Sequence, residues 1–377
     1  MNYTYENELL LSVARREVTP FVQQVDWDYV LATARAHGLL PLLQKHIANS
    51  GLVPGHVLSR LKQESVANSQ TVLHLVARQL SVFKLFKEHG VSVAIFKGAL
   101  LGQMAYGEMS LRQAGDIDML IRSHDFAHAR LLLESLGYEM SPRLTPAQLA
   151  SHLSNHCEIQ FMRDEWFTVV DLHWDLAPGS FVFGLKADEV MSRLQSVSLG
   201  GTTVETFDAE DLLLYQAMHG AKHLWRRLEW ISSLAESLRA TPEVDWDTLV
   251  NRAAQAHATR ILALGLRLVE QFSDVPVPVL ASIDRDGAMQ RMAAGIRAQI
   301  FSRFGYADST ETNLYNLRIM DRKRDVLVSA LRSIFVPTLP DWQALALPSS
   351  LHPLYYAYRP LRLSKVYALS LLKTLRR

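Results

Sequence analysis

The spacing of apolar residues changes twice along the chain, and these two changes restrict its fold more than any other feature. Between residues 7 and 87, apolar residues recur three and four positions apart, which is typical of amphipathic helices. After Gly90 they form short β-branched runs, which indicate buried strands. From Asp208, the expected N-cap of the first of these helices, the helical spacing returns and continues toward the C-terminus. The sequence therefore predicts a central sheet that is preceded and followed by helices.

Five apolar runs predict the strands of this sheet. A helix over residues 124–138 separates the second run from the third, with Ser123 as its expected N-cap and Gly137 as its expected stop. Asp164 and Glu165 are expected at a hairpin turn. The predicted strand segments are 91–96, 116–121, 156–163, 166–176 and 196–207, the last with a turn at Gly200-Gly201. The predicted fold is α+β or α/β, with an N-terminal helical region (1–88), a mixed-sheet core (89–207) and a C-terminal helical domain (208–377).

The charge balance and the cysteine content exclude several classes of protein. Lys and Arg number 39 against 38 Asp and Glu, and this formal net charge of +1 argues against electrostatic binding of long nucleic acids. Cys157 is the sole cysteine, which excludes intramolecular disulfides and zinc sites built from several cysteines. The N-terminal segment lacks the basic start of a signal peptide, and no apolar run is long enough to span a membrane. We therefore expect a cytoplasmic protein.

Two aspartates two positions apart mark the candidate site. Asp116 and Asp118 lie in the second predicted strand, where alternate side chains point to the same face of a sheet. Carboxylates this close repel each other unless a cation lies between them, and hard divalent ions such as Mg²⁺ or Mn²⁺ prefer such oxygen ligands. The alternative is a pair of solvated acids on an exposed strand, because so short a motif often occurs by chance.

The surroundings of these acids favour a phosphate-binding site. Lys97 and Gly98 lie between a predicted strand and a predicted helix. A residue without a Cβ atom there lets the backbone approach a phosphate, and the N–H groups of the helix point outward. Asp171 lies in a later predicted strand and is placed to bring a third carboxylate to the same face.

This order of elements resembles the nucleotidyltransferase superfamily typified by DNA polymerase beta. That superfamily has a strand, a glycine turn, a helix, a strand with D-x-D and a later strand with a third acid. A narrower resemblance, to the bacterial family of uncharacterised nucleotidyltransferases, extends from about Val91 to Leu363. It rests on the segments FKGALLGQMAYGEMSLRQAGDIDMLI, LLLESLGYE, VVDLHWDL, LLLYQAMHGAKHLWRRLEWI and YYAYRPLRL.

The resemblance implies a nucleotidyltransferase-type mixed sheet and a two-metal mechanism. The substrate would be a nucleoside triphosphate, and the cofactor Mg²⁺ or Mn²⁺. Asp116 and Asp118 would bridge both ions, and Asp171 would hold the ion that activates the acceptor. Lys97-Gly98 replaces the usual Gly-Ser of the phosphate turn. The lysine is therefore expected to supply the phosphate contact that the serine hydroxyl commonly makes.

Three further residues have both a functional and a structural interpretation. Arg112 lies four residues before Asp116, where its guanidinium either binds phosphate or offsets the acidic cluster. His173 shares the face of Asp171 and either orients a ligand near the acceptor or is a hydrogen-bonded strand histidine. Lys222 lies on a predicted helix after the sheet. Related nucleotidyltransferases use a lysine there to reach the triphosphate, and a solvated helix lysine is the alternative.

Two helical patterns suggest further contacts. His219 and His223 are four residues apart, as in zinc proteases of the H-E-x-x-H type, but Gly220 replaces the catalytic glutamate and excludes that class. The segment from Arg359 to the end contains six Lys and Arg and no acid, with apolar residues between them. Such a helix either packs its leucines on neighbouring helices or makes a weak contact with an anionic membrane surface.

We therefore predict a cytoplasmic enzyme that transfers a nucleotidyl group from a metal-bound nucleoside triphosphate to an acceptor. The acceptor is a small molecule, a glycan intermediate, a peptide or a protein. The competing prediction is a non-catalytic binding or scaffold protein that retains the fold. Because like charges strain the group of acids, Asp118→Asn is expected to abolish transfer with little loss of folding stability.

Overall fold

The computed structural model describes residues 4–17, 24–48, 51, 53–163, 168–302 and 309–375, apart from the side chains of 309, 310, 313 and 367–375. The helices that precede the sheet are α1 (Thr4–Arg15), α2 (Trp27–Ala36), α3 (Leu40–Ile47) and α4 (Gly55–Glu88). Those that alternate with strands are α5 (Gly98–Tyr106), α6 (Phe126–Ser135), α7 (Pro146–Asn155) and α8 (Ala187–Met191). Those that follow are α9 (Ala209–Lys222), α10 (Leu228–Ala240), α11 (Trp246–Gln255), α12 (Thr259–Phe272), α13 (Leu280–Ile283), α14 (Ala288–Gln299), α15 (Ser309–Ile319), α16 (Lys323–Phe335), α17 (Leu339–Ala344) and α18 (Tyr355–Leu375).

A five-stranded mixed sheet lies between the helical regions of the sequence, which confirms the predicted fold class. Its strands are β1 (Val93–Ala94), β2 (Ile117–Ile121), β3 (Glu139–Ser141), β4 (Glu158–Arg163) and β5 (Thr168–His173). Their order across the sheet is β1-β2-β5-β4-β3. β2 and β5 run parallel, whereas the other neighbouring pairs run antiparallel. Residues 196–207 contribute to a separate hairpin of β6 (Gln195–Leu199) and β7 (Thr202–Thr206), with the predicted turn at Gly200 and Gly201.

The two faces of the sheet have different neighbours. Ile117, Met119 and Ile121 of β2 are buried in a core that includes apolar residues of α4 and α6. The alternate residue Leu120 belongs to a second core, which includes apolar residues of α9, α10 and α12. Because side chains alternate along a strand, Asp118 points to the same side as Leu120, toward the C-terminal helices.

The helices before and after the sheet share this second core. Leu9 and Leu10 of α1 are fully buried in it together with Trp225, which follows α9. Ser232 of α10 donates to the Ala14 carbonyl at 2.9 Å and links α10 to α1. The division of the chain into units at 1–88, 89–207 and 208–377 stays a prediction.

Local structure differs from the sequence prediction at several places. Asp116 lies just before β2 rather than in it, because the ladder with β5 begins at Ile117. Ser123 begins a 3₁₀ turn that precedes α6 instead of capping that helix directly. β3 has three residues, too few for an alternating pattern to indicate a strand. Asp164 and Glu165 lie outside the described residues, although β4 and β5 do pair as an antiparallel hairpin.

The basic C-terminal segment forms most of α18. Arg359 and Arg362 donate to the buried Asp341 carboxylate at 2.6 and 2.5 Å, so two of the six cations stabilise internal structure. Lys365 is exposed, and the other three cations lie beyond the residues whose side chains are described. The contact with a membrane surface stays a prediction. None of the helices in the described ranges combines the length and the apolar character needed to cross a membrane.

Candidate active site

Asp118 lies at the centre of a cluster of charged side chains on the side of the sheet that faces the C-terminal helices. It is the second residue of β2, and its side chain is 6% exposed. Lys97, the residue before α5, donates from Nζ to Asp118 Oδ1 at 2.7 Å. His173, the last residue of β5, places Nε2 2.9 Å from the same oxygen. Within the described residues, no hydrogen bond reaches the other oxygen, Oδ2.

The pKa values of Asp118 and Lys97 shift in opposite directions. Burial raises the pKa of Asp118, but the Lys97 ammonium and the His173 ring lower it more, so that it lies well below its usual range. Burial lowers the pKa of Lys97, but Asp118 outweighs this effect and holds it well above its usual value. The Lys97 ammonium also lies 5.3 and 5.7 Å from the ring centres of Phe96 and Tyr215, which adds cation–π attraction. Asp118 and Lys97 therefore form an ion pair over the neutral pH range.

Asp171 lies directly opposite Asp118 on the neighbouring parallel strand. Adjacent strands are about 4.8 Å apart, so the two side chains leave the same face of the sheet side by side. Asp116 lies two residues before Asp118 and is exposed. Burial, and then the charges of Asp118 and Asp116, raise the pKa of Asp171 to about 6. Burial and Asp118 also raise the pKa of Asp116. The three predicted acids thus act on one another electrostatically.

The three carboxylates have the oxygen ligands that a hard divalent cation prefers, although these oxygens do not all lie within 4.8 Å of one another. Among the described residues, one group of three metal-binding side chains has its ligand atoms within 4.8 Å of one another, and it consists of other residues. Mutual repulsion and the Lys97 ion pair account for the wider spacing of the acids. Asp171 Oδ1 is buried and has no hydrogen-bond partner among the described residues, which is costly. This oxygen, Asp118 Oδ2 and the exposed Asp116 carboxylate form an oxygen set suited to Mg²⁺ or Mn²⁺.

The tighter group consists of Cys157, Glu158 and His173. Burial, followed by the charge of Glu158, raises the pKa of the Cys157 thiol to about 12, so the thiol stays protonated and is a poor metal ligand. His173 Nε2 faces Asp118, and His173 Nδ1 lies 3.1 Å from Glu158 Oε2. The histidine therefore joins two acids, and its role near an acceptor stays a prediction.

Glu158 is a fourth acid of the site, and no motif of the sequence indicated it. It lies on β4 opposite His173, and its Oε1 is 4.0 Å from Lys222 Nζ at the end of α9. Burial raises its pKa, but His173, Lys222 and Lys97 together lower it to about 2. Strand alternation placed Glu158 and Gln160 on one face, but only the register with β5 shows that this face is the one with the acids. The structure brings Lys222 to the site, and its contact with a triphosphate stays a prediction.

The turn before α5 has a backbone conformation that favours glycine. Gly98 has a φ of +62°, in the region that favours glycine. A Cβ atom at Gly98 would meet no atom within 4 Å, so the backbone conformation and not crowding selects glycine here. In the part of the chain that the structure describes, no side chain caps the first turn of α5, which leaves N–H groups available to an anion. The nucleotide-binding roles of Lys97 and Gly98 stay predictions.

Arg112 pairs with a helix rather than standing free beside the acids. Its Nε lies 3.4 Å from Glu229 Oε1 on α10, and both side chains are largely buried. It also lies near enough to Asp116 to oppose the upward shift of that residue's pKa. This supports the interpretation that Arg112 offsets the acidic cluster, and the phosphate contact stays a prediction.

His219 and His223 belong to a half-buried aromatic cluster. Their ring centres are 4.7 Å apart, and each ring lies within 6 Å of Trp230. Burial and then nearby lysines lower the pKa of His223 to about 4, and burial and Lys97 place that of His219 well below its usual value. Both rings are therefore neutral at neutral pH. A Cβ atom at Gly220 would overlap the Trp225 ring, which explains the glycine between the two histidines.

The raised pKa of Asp171 predicts how the stability of the protein depends on pH when divalent cations are chelated. The folded pKa of about 6 exceeds the unfolded value of about 3.9, so the folded state holds the proton more tightly. This contribution to stability is present at low pH and is lost as pH rises from about 4 through 6. Above pH 6 we expect Asp171→Asn to raise the free energy of unfolding by about 1–2 kcal/mol.

Urea unfolding with a chelator, below and above pH 6, measures this effect. Glu243→Gln is the control, because it also removes one carboxylate but lies exposed in a loop before α11. An Asp171→Asn protein with the same pH dependence as the parent would contradict the prediction.

Comparisons with known proteins place the chain in a family. A solution structure of the antibiotic-resistance factor ANT(2'')-Ia is similar at 14% identity and a TM-score of 0.28, over 60% of this chain and 99% of that chain. No functionally curated protein matches the chain. The family described as "Uncharacterised nucleotidyltransferase" matches residues 23–274, a range that contains every predicted site residue. This match confirms the resemblance drawn from the motifs. The chain belongs to the uncharacterised nucleotidyltransferase family.

Proposed function

We propose that the protein transfers a nucleotidyl group from a nucleoside triphosphate to an acceptor oxygen, with Mg²⁺ or Mn²⁺ held by Asp116, Asp118 and Asp171. The observation that carries the proposal is the parallel register of β2 and β5, which places Asp118 beside Asp171. The buried Asp171 Oδ1 has no partner among the described residues, and a bound cation would compensate it. Family membership supports the class of reaction.

Two lysines and a glycine turn would hold the triphosphate. Lys97 reaches the acids from the start of α5, and Lys222 reaches Glu158 from the end of α9. Ammonium groups and the uncapped N–H groups after Gly98 suit phosphate oxygens. Arg112 would reduce the negative charge around Asp116. When bound, the divalent ions would neutralise phosphate charge and activate the acceptor oxygen.

The proposed transfer exchanges one phosphorus–oxygen bond for another. The acceptor oxygen forms a bond to the α-phosphorus, while the bond from that phosphorus to the bridging oxygen breaks. Pyrophosphate leaves with the bridging oxygen. The acceptor proton passes through the Asp171 carboxylate to water, since burial and the neighbouring acids raise the pKa of this carboxyl to about 6.

The competing function is that of a non-catalytic binding or scaffold protein. One observation favours it, because Lys97 already neutralises Asp118 without help from another cation. The two functions differ at Asp171, whose buried oxygen a scaffold would leave uncompensated.

We propose a reducing, cytoplasmic setting, in keeping with a single buried thiol at Cys157. The acceptor would be a small molecule, a glycan intermediate, a peptide or a protein rather than a long nucleic acid, because the net charge is near zero. A weak contact of α18 with an anionic membrane surface belongs to the same set of proposals.

The proposed function is tested by binding an α,β-methylene nucleoside triphosphate analogue, which cannot undergo transfer, with and without Mg²⁺. We expect at least one of the four common bases to bind in a Mg²⁺-dependent manner. Lys222→Ala should weaken that binding about tenfold, the loss expected for one charge-assisted hydrogen bond. Calorimetric titration measures the affinity, and release of pyrophosphate from the natural triphosphate measures transfer.

Two controls make this result specific. Lys222→Arg keeps the positive charge and should retain most of the affinity. Lys84→Ala removes an exposed lysine that pairs with Glu88 on α4, and it should bind as the parent does. If the affinity for the analogue is independent of Mg²⁺ with every base, the proposed function is overturned. If Lys222→Ala binds the analogue with the affinity of the parent protein, Lys222 does not contact the triphosphate.

A further inference from the structure

On the face of the sheet that carries the acids, exposure to solvent increases from Asp118 toward β4 and β3. Asp118 and His173 are 5% and 2% exposed, and Lys97 and Lys222 approach the site from that side. Beyond Asp171 the exposure increases, since Gln160 is exposed and Met162 is 37% exposed. The surface from Asp171 across β4 toward β3 is therefore accessible from solvent.

Four polar residues lie in one line across this face. The strand registers pair Asp118 with Asp171, Asp171 with Gln160, and Gln160 with Ser141. Met140 and Phe161, which alternate with Ser141 and Gln160, are buried on the opposite face. Strands are about 4.8 Å apart, so the line from Asp171 to Ser141 is about 10 Å long. We call Asp171, Gln160 and Ser141 the polar row.

The polar row is able to bind groups that both donate and accept hydrogen bonds. The Gln160 amide and the Ser141 hydroxyl each offer a donor and an acceptor. Neither side chain has a hydrogen-bond partner among the described residues. Met162, diagonal to Asp171 on the same face, adds an apolar surface beside them.

An open cavity of about 500 Å³ lies at the far end of the row, with Ser141 and Met162 in its wall. Glu139 and Arg143, which also line it, pair with each other at 2.5 Å. Their charges therefore compensate each other, and Arg163, which also lines the cavity, is not without a partner either. A ligand that has neutral hydroxyl groups and an apolar ring face would match the hydrogen-bonding side chains of the polar row and the thioether of Met162.

We propose that the polar row binds the acceptor, and that the acceptor is a neutral carbohydrate. A sugar hydroxyl both donates and accepts, as the amide and hydroxyl of the row require, and the C–H face of the ring packs on Met162. One hydroxyl then lies next to Asp171, where the transfer takes place. The assignment of this ligand as acceptor rests on the proposed function, whereas its binding does not.

Methyl resonances of [methyl-¹³C]methionine measure binding without turnover. We expect the Met162 methyl, assigned with Met162→Leu, to shift when glucose, galactose, mannose or maltose is added in the high-millimolar range. The Met119 methyl of β2 is the control, because it is fully buried on the opposite face of the sheet and does not line this cavity. Glucuronate, which adds a negative charge to the same ring, should bind more weakly than glucose, because the Asp171 carboxylate repels it.

Gln160→Ala is expected to weaken this binding about tenfold, the loss expected from one or two hydrogen bonds. Gln290→Ala, which truncates an exposed glutamine on α14, should leave it unchanged. The inference is overturned if no neutral sugar shifts Met162, if glucuronate binds as tightly as glucose, or if Gln160→Ala binds as the parent does. If sugars bind but no nucleotide binds in a Mg²⁺-dependent manner, the proposed function is rejected and the carbohydrate site is retained.

Discussion

Replacing Asp118 by asparagine is expected to lower nucleotidyl transfer about a thousandfold and to destabilise the fold as well. The loss of activity follows from the removal of a ligand that supports several kcal/mol of charge stabilisation. The loss of stability follows from the ion pair, because Lys97 would keep its charge in a largely buried position without Asp118. Breaking such a pair costs about 3–5 kcal/mol. Urea unfolding and pyrophosphate release measure the two effects on the same sample.

Asp116→Asn is the matched control for this substitution. It removes the same charge two residues earlier, from an exposed side chain that has no ion pair in the described structure. We expect it to lower transfer strongly and to change the free energy of unfolding by less than about 0.5 kcal/mol. If Asp118→Asn unfolds at the same urea concentration as Asp116→Asn, the ion pair with Lys97 does not stabilise the fold.

Lys97→Met should produce the second largest effect. Methionine retains an unbranched side chain but leaves the buried Asp118 carboxylate beside Asp116 and Asp171 without its main cation. We expect the free energy of unfolding to fall by about 3–5 kcal/mol at neutral pH. The deficit should shrink as pH falls, because protonation removes the uncompensated charge of Asp118. It should also shrink when Mg²⁺ is added, because a cation at the acids replaces the lost ammonium.

A double-mutant cycle separates the ion pair from other effects of the methionine. The variant that carries both Lys97→Met and Asp118→Asn should be more stable than the sum of the two single losses predicts, by about 2–3 kcal/mol. Lys84→Met on the exposed face of α4 is the control for the side-chain change alone. Strict additivity in the cycle would show that Lys97 and Asp118 do not act on each other.

These two predictions reverse an expectation drawn from the sequence. When only the spacing of Asp116 and Asp118 is considered, the nearest charges are other acids, and neutralising Asp118 is expected to relieve their repulsion. In the fold, Lys97 comes from a different strand–helix turn and lies 2.7 Å from the carboxylate. Its attraction outweighs the repulsion from the other acids, as the low pKa of Asp118 shows.

The sequence by itself determined the features that depend on near neighbours. The change in apolar period located the sheet, because burial on one face imposes a period of two on strands and 3.6 on helices. Asp208 was recognisable as a cap, and its side chain does accept from the Asp211 N–H at the start of α9. The glycine turn at Gly98 and the acids at Asp116 and Asp118 could likewise be recognised, because each motif consists of residues close together in the sequence.

Only the tertiary structure decided which strands are neighbours and in what register. Alternation put Asp171 on one face of its strand, but the pairing of β2 with β5 was needed to set it beside Asp118. The same holds for Glu158 and for the polar row from Gln160 to Ser141, which depends on a three-residue strand with no pattern of its own. The physical reason is that register is set by packing between segments distant in sequence, whereas period and capping are set by the chain within one or two turns.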